Sequence, residues 1–417
     1  MSFRLFSQLC IGGLLLGAVS GCSSDSDDNS GSGGNVEGCN IMVSPSDNDT
    51  EKLQTAFVNA KSGQTVCMTK GTYTITNLIT VGATPGLTIR GVGDTPDDVL
   101  LDFTGQTEGD DGMLATGDDI TIENFSVRNT RGNGIVVSGA TGVVFRKIKV
   151  TWDESKTENG AYAVYPTKSK DVLVEDCEVV GASDAGIYLG QSENAILRRN
   201  TAYGNVIGIE VENTTGAEIY DNVTYDNTTG IFIPLLPNLQ RKESALTIIR
   251  DNQIYENNRG NFGDKNTVVS FLPPGVGIIL LNSDKVRVFG NTIKDQKSTA
   301  VGIVGQATMD EVTGMMSTDT ETDGYPEEIY IHGNTYENIG GMPAGILATL
   351  GVASLEEVVW DGSERSPGSA KLCLGESDLP TFRDFGGLDG VGNPDLHSTD
   401  ATPHTCTLPD LEPVTLP

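Results

Sequence analysis

Short apolar strands recur along the chain in one frame. Gly186-Ile187-Tyr188-Leu189, Gly208-Ile209-Glu210-Val211 and Gly230-Ile231-Phe232-Ile233 each set a glycine before two apolar residues in alternation, and their glycines stand 22 residues apart. Gly134-Ile135-Val136-Val137 and Gly277-Ile278-Ile279-Leu280 repeat the pattern. Between these strands lie Ala195-Ile196-Leu197-Arg198-Arg199-Asn200, Ala217-Glu218-Ile219-Tyr220-Asp221-Asn222 and Thr247-Ile248-Ile249-Arg250-Asp251-Asn252, and the same frame recurs at Asn124, Asn291 and Asn334. A second asparagine follows five residues later at Asn129, Asn205, Asn227 and Asn257. Such a period predicts one coil of a stacked solenoid, in which alternate side chains enter a continuous core. The asparagines predict ladders of side-chain amide hydrogen bonds at the turns.

One coil cannot close its own core, but roughly 8 to 10 can, at about 4.8 Å per coil, giving a rod some 40 to 50 Å long. Leucine-rich repeats are excluded because the L-x-x-L-x-L signature is missing and the period leaves no room for a helix, and propeller blades need about 40 residues. An open stack has raw ends that must be covered. Asp49 to Val58 has helical periodicity and an acidic start, which predicts a cap on the first coil. From about Ser363 the repeat fades into a Pro/Gly-rich tail that should cover the far end.

Gly71-Thr72-Tyr73 followed by Leu87-Thr88-Ile89-Arg90-Gly91 resembles the opening coils of pectin-lyase-like proteins. With the repeats, it makes residues 47–362 similar to the right-handed parallel β-helix superfamily, which holds pectate lyases, polygalacturonases, alginate epimerases and NosD-like periplasmic proteins. Most closely the chain resembles a group of exported bacterial β-helix proteins often encoded beside a second exported protein. The implied fold is all-β: a single-stranded right-handed parallel β-helix with an N-terminal helical cap and an irregular C-terminal cap. The expected division is a signal peptide over 1–21, a tether over 22–36, the capped helix over 37–362 and a cap or tail over 363–417.

Arg4, the apolar run through Leu14, Leu15 and Leu16, and Val19-Ser20-Gly21-Cys22 read as a secretory signal. The small residues before Cys22 resemble a lipobox, which implies acylation of that cysteine and anchoring through lipid alone; Ser23 after it implies the outer membrane by the sorting rule of such lipoproteins. The Ser/Gly/Asp stretch that follows buries nothing and should be a flexible tether. A formal charge of -30 argues against a nucleic-acid partner, because phosphates would be repelled. In an oxidising compartment Cys39 with Cys67, and Cys373 with Cys406, are the expected disulfides, one at each end, leaving Cys177 as a buried thiol inside a repeat.

The same alternation places the working face. If Ile187 and Leu189 point inward, Tyr165, Tyr188, Glu210 and Phe232 form an outward column, with Lys168, Gln191, Glu212 and Asn213 at the strand ends. Aromatic faces stack on sugar rings, and a carboxylate beside them accepts hydroxyl hydrogen bonds or binds a cation. Tyr165, Tyr188, Glu210, Glu212 and Phe232 are therefore the candidate substrate-binding residues, and Glu210, Lys168 and Tyr188 the candidate catalytic ones. Insertions at Trp152 to Gly160, Pro234 to Ser244, Phe262 to Pro274 and Gln306 to Pro326 should edge this face, with Asp153, Glu154 and Glu158 on one rim. A second column, Tyr203, Tyr225 and Tyr255, lies on another sheet.

The polygalacturonase marks Asn-Thr-Asp, Asp-Asp, Gly-His-Gly and Arg-Ile-Lys are absent, as is the Asp-Pro-His of alginate epimerases. No certain cofactor follows. Calcium is an open alternative for the loops around Asp110, Asp111, Asp118 and Asp119, though these lack regular ligand spacing. His332, His397 and His404 lack metal-ligand spacing. Two readings stand: a polysaccharide-binding lipoprotein, with lyase or epimerase activity left open, or a non-catalytic envelope scaffold for an exported partner protein.

Overall fold

Alternation closes the core as the repeat requires. Ile187, Ile209, Ile231 and Ile278 are fully buried and lie in register on successive parallel strands. The computed structural model describes residues 37–153, 159–350, 352–377, 379–390 and 393–417. The signal peptide, Cys22, the whole of the tether, and Glu154 and Glu158 lie outside the described residues.

The chain winds through a parallel sheet of 11 strands, from Asn77–Val81 to Phe382–Asp384, and a system of 19 strands that makes the other sides. Two long strands, Ile120–Arg128 and Thr141–Thr151, pair with both parts of that system and join them. This is the expected right-handed parallel β-helix. Eleven strands at about 4.8 Å give a rod near 50 Å long. It exceeds 8 to 10 coils because strands at both ends, such as Glu108–Ala115 and Val358–Trp360, join the ladder without the Gly-apolar signature.

The repeated glycines answer to close approach rather than to unusual backbone angles. A Cβ on Gly208 would sit 2.6 Å from the Gly230 carbonyl oxygen of the next coil, and one on Gly230 2.5 Å from that of Gly277. The residue before each ladder asparagine does need a left-handed backbone: Arg199 has φ 54° and Asp221 φ 55°. Such conformations are uncommon outside glycine, and stacking of the whole coil holds them.

Helix α1, Asp49–Asn59, buries Leu53, Ala56 and Phe57 over the first coil. The Cys39–Cys67 disulfide staples that end and Cys373–Cys406 the other. Strand Phe382–Asp384 pairs with Val358–Trp360, so the ladder runs on past Gly362. The tail then does more than cover the end. It folds back along the flank, where Arg287 Nε donates to Pro409 O at 2.8 Å and Asn194 Nδ2 donates to Thr415 O at 3.1 Å. Among the described residues no helix is long and apolar enough to cross a membrane.

Candidate functional site

The outward column forms on the 11-stranded sheet. Tyr165 on Tyr162–Thr167, Tyr188 on Ala185–Gly190, Glu210 on Ile207–Glu212 and Phe232 on Thr229–Pro234 stand in line, followed by Ile279 and Gly302. The face is not an open groove, however. Tyr188 is 5 % exposed, Glu210 4 % and Phe232 2 %. Insertions roof it: Phe262, Val269 and Leu272 from one loop and Leu236 from another pack onto the column. Asn213 pins the second loop, donating to Leu236 O and Arg241 O and accepting from Leu236 N, while Gln191 accepts from Gln240 N.

Under this roof the structure gathers three tyrosines and three carboxyl groups. The ring centroids of Tyr162 lie 4.7 Å from Tyr165 and 4.5 Å from Tyr188, and Tyr165 meets Tyr188 edge-on at 4.8 Å. Tyr162 donates its hydroxyl proton to Asp184 at 3.1 Å, and Tyr188 donates to Glu212. One oxygen of Glu210, Oε2, is buried without a hydrogen-bond partner. Gly190 makes the geometry possible: the Tyr188 ring folds back over it, and a Cβ there would lie 2.1 Å from the tyrosine oxygen.

Burial and mutual repulsion keep protons in the cluster. Burial, with the charges of Asp184 and Glu212 beside it, raises Glu210 well above the usual carboxylate range. Asp184 is pushed up to about 7 by burial, with the Tyr162 hydrogen bond opposing and the Glu212 charge adding to the rise. Glu212 is also raised by burial, against the hydrogen bond from Tyr188. The same burial and acids push the Tyr162 and Tyr188 phenols up, so neither ionises near neutrality. The centre therefore offers a Glu210 carboxyl biased toward its protonated form, an Asp184 carboxyl that ionises near neutrality and two phenols that keep their protons there. Such a set can donate to, or accept from, a bound oxygen.

Lys168 stands apart in the exposed turn after its strand, with φ 51°, and no described hydrogen bond or ion pair joins it to Tyr188, Glu210 or Glu212. Glu210 and Tyr188 thus share the centre and Lys168 does not. Asp153 is exposed. Tyr162 and Asp184 were not singled out from sequence. Tyr162 opens its strand, three residues ahead of the column, and Asp184 lies in a turn where an aspartate is commonplace. Among the described residues no three His, Cys, Asp or Glu converge so as to hold a metal ion. The second column stacks on itself, with Tyr203–Tyr225 at 4.8 Å and Tyr225–Tyr255 at 5.2 Å nearly parallel, so its ring faces are occupied by one another. His332 stacks on Phe289 and Tyr330, and His404 packs against Trp360 and Phe382. Burial lifts the Cys177 thiol to about 12, which makes it inert as a nucleophile.

Residues 111–239 match the family model described as right handed beta helix region. No curated protein sequence matches the chain. Among solved structures it is similar to the mannuronan C-5 epimerase AlgE6 A-module of Azotobacter vinelandii, at 14% identity and TM-score 0.53, covering 76% of this chain and 85% of that one. It is also similar to the catalytic unit of a GH87 alpha-1,3-glucanase from Streptomyces thermodiastaticus, at 13% identity and TM-score 0.51, covering 82% of this chain and 54% of that one. At such identities the likeness is one of fold.

Proposed function

We propose that this chain, which folds as a right-handed parallel β-helix and matches that family model over residues 111–239, binds a polysaccharide across the 11-stranded sheet, with the tyrosine–carboxyl cluster as the binding and reacting centre. The observation that carries this reading is the buried Glu210 carboxyl beside Tyr188, whose Oε2 has no hydrogen-bond partner. An unpaired buried polar atom is costly, and a sugar hydroxyl or ring oxygen would satisfy it. The names of the similar folds, an epimerase and a glucanase that act on polysaccharides, point the same way. The net charge of -30 favours a neutral glycan over an acidic one.

A lyase or epimerase reaction is the finer form of the proposal. On a uronate, which calcium would have to bridge to so acidic a chain, Glu210 would share its proton with the substrate carboxylate and Glu212 would take the C5 proton through the Tyr188 hydroxyl; a proton then returns to the opposite face of C5 in an epimerase, or goes to the departing glycosidic oxygen as the C4–O bond breaks in a lyase. Export, anchoring through Cys22 and an outer-membrane address belong to the same proposal, as does calcium for an acidic chain.

A glycan array with product analysis of the hits tests it. Wild type should bind at least one glycan family, Tyr188→Ala should weaken that binding tenfold or more, and Glu210→Gln should keep binding while losing any turnover. Gln is neutral and still a donor, as protonated Glu is. No hit on any glycan would sink the reading and leave the partner-protein scaffold.

A further inference from the structure

Beyond Glu210 the column continues as Phe232, Ile279, Gly302 and Val359. At every neighbouring position a side chain fills the space above the sheet, but Gly302 leaves it open. A Cβ there would meet only Val359 Cγ2 at 3.9 Å, and the backbone is not left-handed, so other residues fit the position without strain. Over this gap lies a hollow of about 110 Å³. Phe232 and Ile279 form its floor, Leu272 and Leu347 come from two insertions, and Met309 from helix α2, Gln306–Thr313.

Of the polar groups near its wall, Thr308 Oγ1 is buried without a hydrogen-bond partner, while those of Thr299 and Asp361 are engaged elsewhere. Thr299 Oγ1 donates to Glu356 O at 2.8 Å, and the Asp361 carboxylate accepts from Gly305 N at 2.8 Å and Ser363 Oγ at 2.7 Å. Water needs two to four polar partners to settle in a cavity, and this one offers few. Apolar cavities of about 150 Å³ stay dry and take benzene or xenon. The hollow is of that kind. It lies three coils, about 14 Å, from Glu210 along one continuous covered face.

We propose that the hollow over Gly302 binds the apolar end of an amphiphilic ligand, an alkyl chain or single aromatic ring, whose polar end lies on the tyrosine–carboxyl cluster. Only the polar end rests on the carbohydrate reading above; the apolar site stands on the hollow itself. The ligand class is then a glycoside or saccharide carrying an apolar substituent, rather than a bare sugar chain.

Calorimetric titration of wild type and Gly302→Leu with octyl glucoside below its micelle-forming concentration, and with glucose, tests this, alongside thermal melts in benzene. Octyl glucoside should bind at least tenfold more tightly than glucose. Gly302→Leu, which fills the hollow, should remove that gain and leave glucose binding as it was. Benzene should raise the wild-type melting temperature in a saturable way and leave that of Gly302→Leu unchanged. The ligand-free melt of the variant, expected at or above wild type, shows that it folds. A chain that brings no gain over glucose, or a gain that survives in Gly302→Leu, overturns the proposal. If octyl glucoside binds through Gly302 while glucose and Tyr188→Ala have no effect, the carbohydrate reading falls and the apolar site stands.

Discussion

Asparagine side chains hold the turns together one coil at a time. Asn222 Nδ2 donates to Leu197 O at 2.9 Å and to Asn252 Oδ1 at 3.0 Å, while its Oδ1 accepts from Asn200 N at 3.0 Å and Nδ2 at 2.9 Å. The ladder runs on through Asn291 to Asn334. Asn124 is not a rung; its backbone is left-handed and it donates to Gly91 O and Gly93 O. The rung position beneath Asn200 belongs to Cys177, whose N–H donates to Asn200 Oδ1 at 3.0 Å. Asn222→Ala should therefore cost about 3 kcal/mol, since it strands several buried groups at once. Cys177→Asn should be neutral or stabilising, because it adds a rung. Denaturant melts of the two variants check both; a Cys177→Asn as damaging as Asn222→Ala would show that the thiol is held by packing instead.

Between strands, charge does similar work on an outer face. Arg90, Glu123, Arg146, Glu175 and Arg198 lie in register on five successive strands, and each meets its neighbours: Arg90–Glu123 at 2.5 Å, Arg146–Glu175 at 2.6 Å, Arg198–Glu175 at 2.7 Å. Arg250 ends the run by stacking over the Tyr220 ring at 4.0 Å. Burial opposes ionisation of Glu175, but the guanidiniums of Arg146, Arg198 and Arg199 outweigh it and hold the carboxyl down to about 2. A depressed carboxylate stabilises the fold above its unfolded value and loses that contribution as pH falls through the folded one. Glu175→Gln should then cost about 2 kcal/mol at pH 7 and almost nothing near pH 2. Melts across that range would sink the account if the cost were the same at both ends.

For the molecule as a whole the buried acids act in the opposite sense. Asp184 is pushed up to about 7, and so is Asp284, by burial and then by the charge of Asp323. The native state binds more protons than the unfolded chain between their ordinary values near 4 and their folded values near 7. Stability falls as pH rises through that window. The rod should be more stable at pH 5 than at pH 8, by about 2 to 3 kcal/mol from Asp184 alone and by more with the less deeply buried Asp284. Asp184→Asn and Asp284→Asn together should shrink the difference and leave the share that Glu210 and Glu212 contribute. Urea unfolding at the two pH values reads it directly, and a wild type that gains stability toward pH 8 would contradict the protonated centre.

The fold was legible in the chain because a solenoid is local: one coil touches the next, so a 22-residue period and an alternating strand write the core, the ladders and the outward column directly. The pairing of Cys39 with Cys67 and of Cys373 with Cys406, and the line of Tyr165, Tyr188, Glu210 and Phe232, follow from that period and from the ends of the stack. What it could not reveal was the path of the insertions, since loops leave the repeat and obey no period. Whether the column lay open or roofed, whether Asp184 and Tyr162 joined it, and whether Lys168 reached it were settled only by loops returning across neighbouring coils. The hollow over Gly302 and the tail along Arg287 and Asn194 arise in the same way. Sequence alone determined the rod and the order of side chains along it; tertiary packing decided which were taken out of water, and so which carboxyl groups keep their protons.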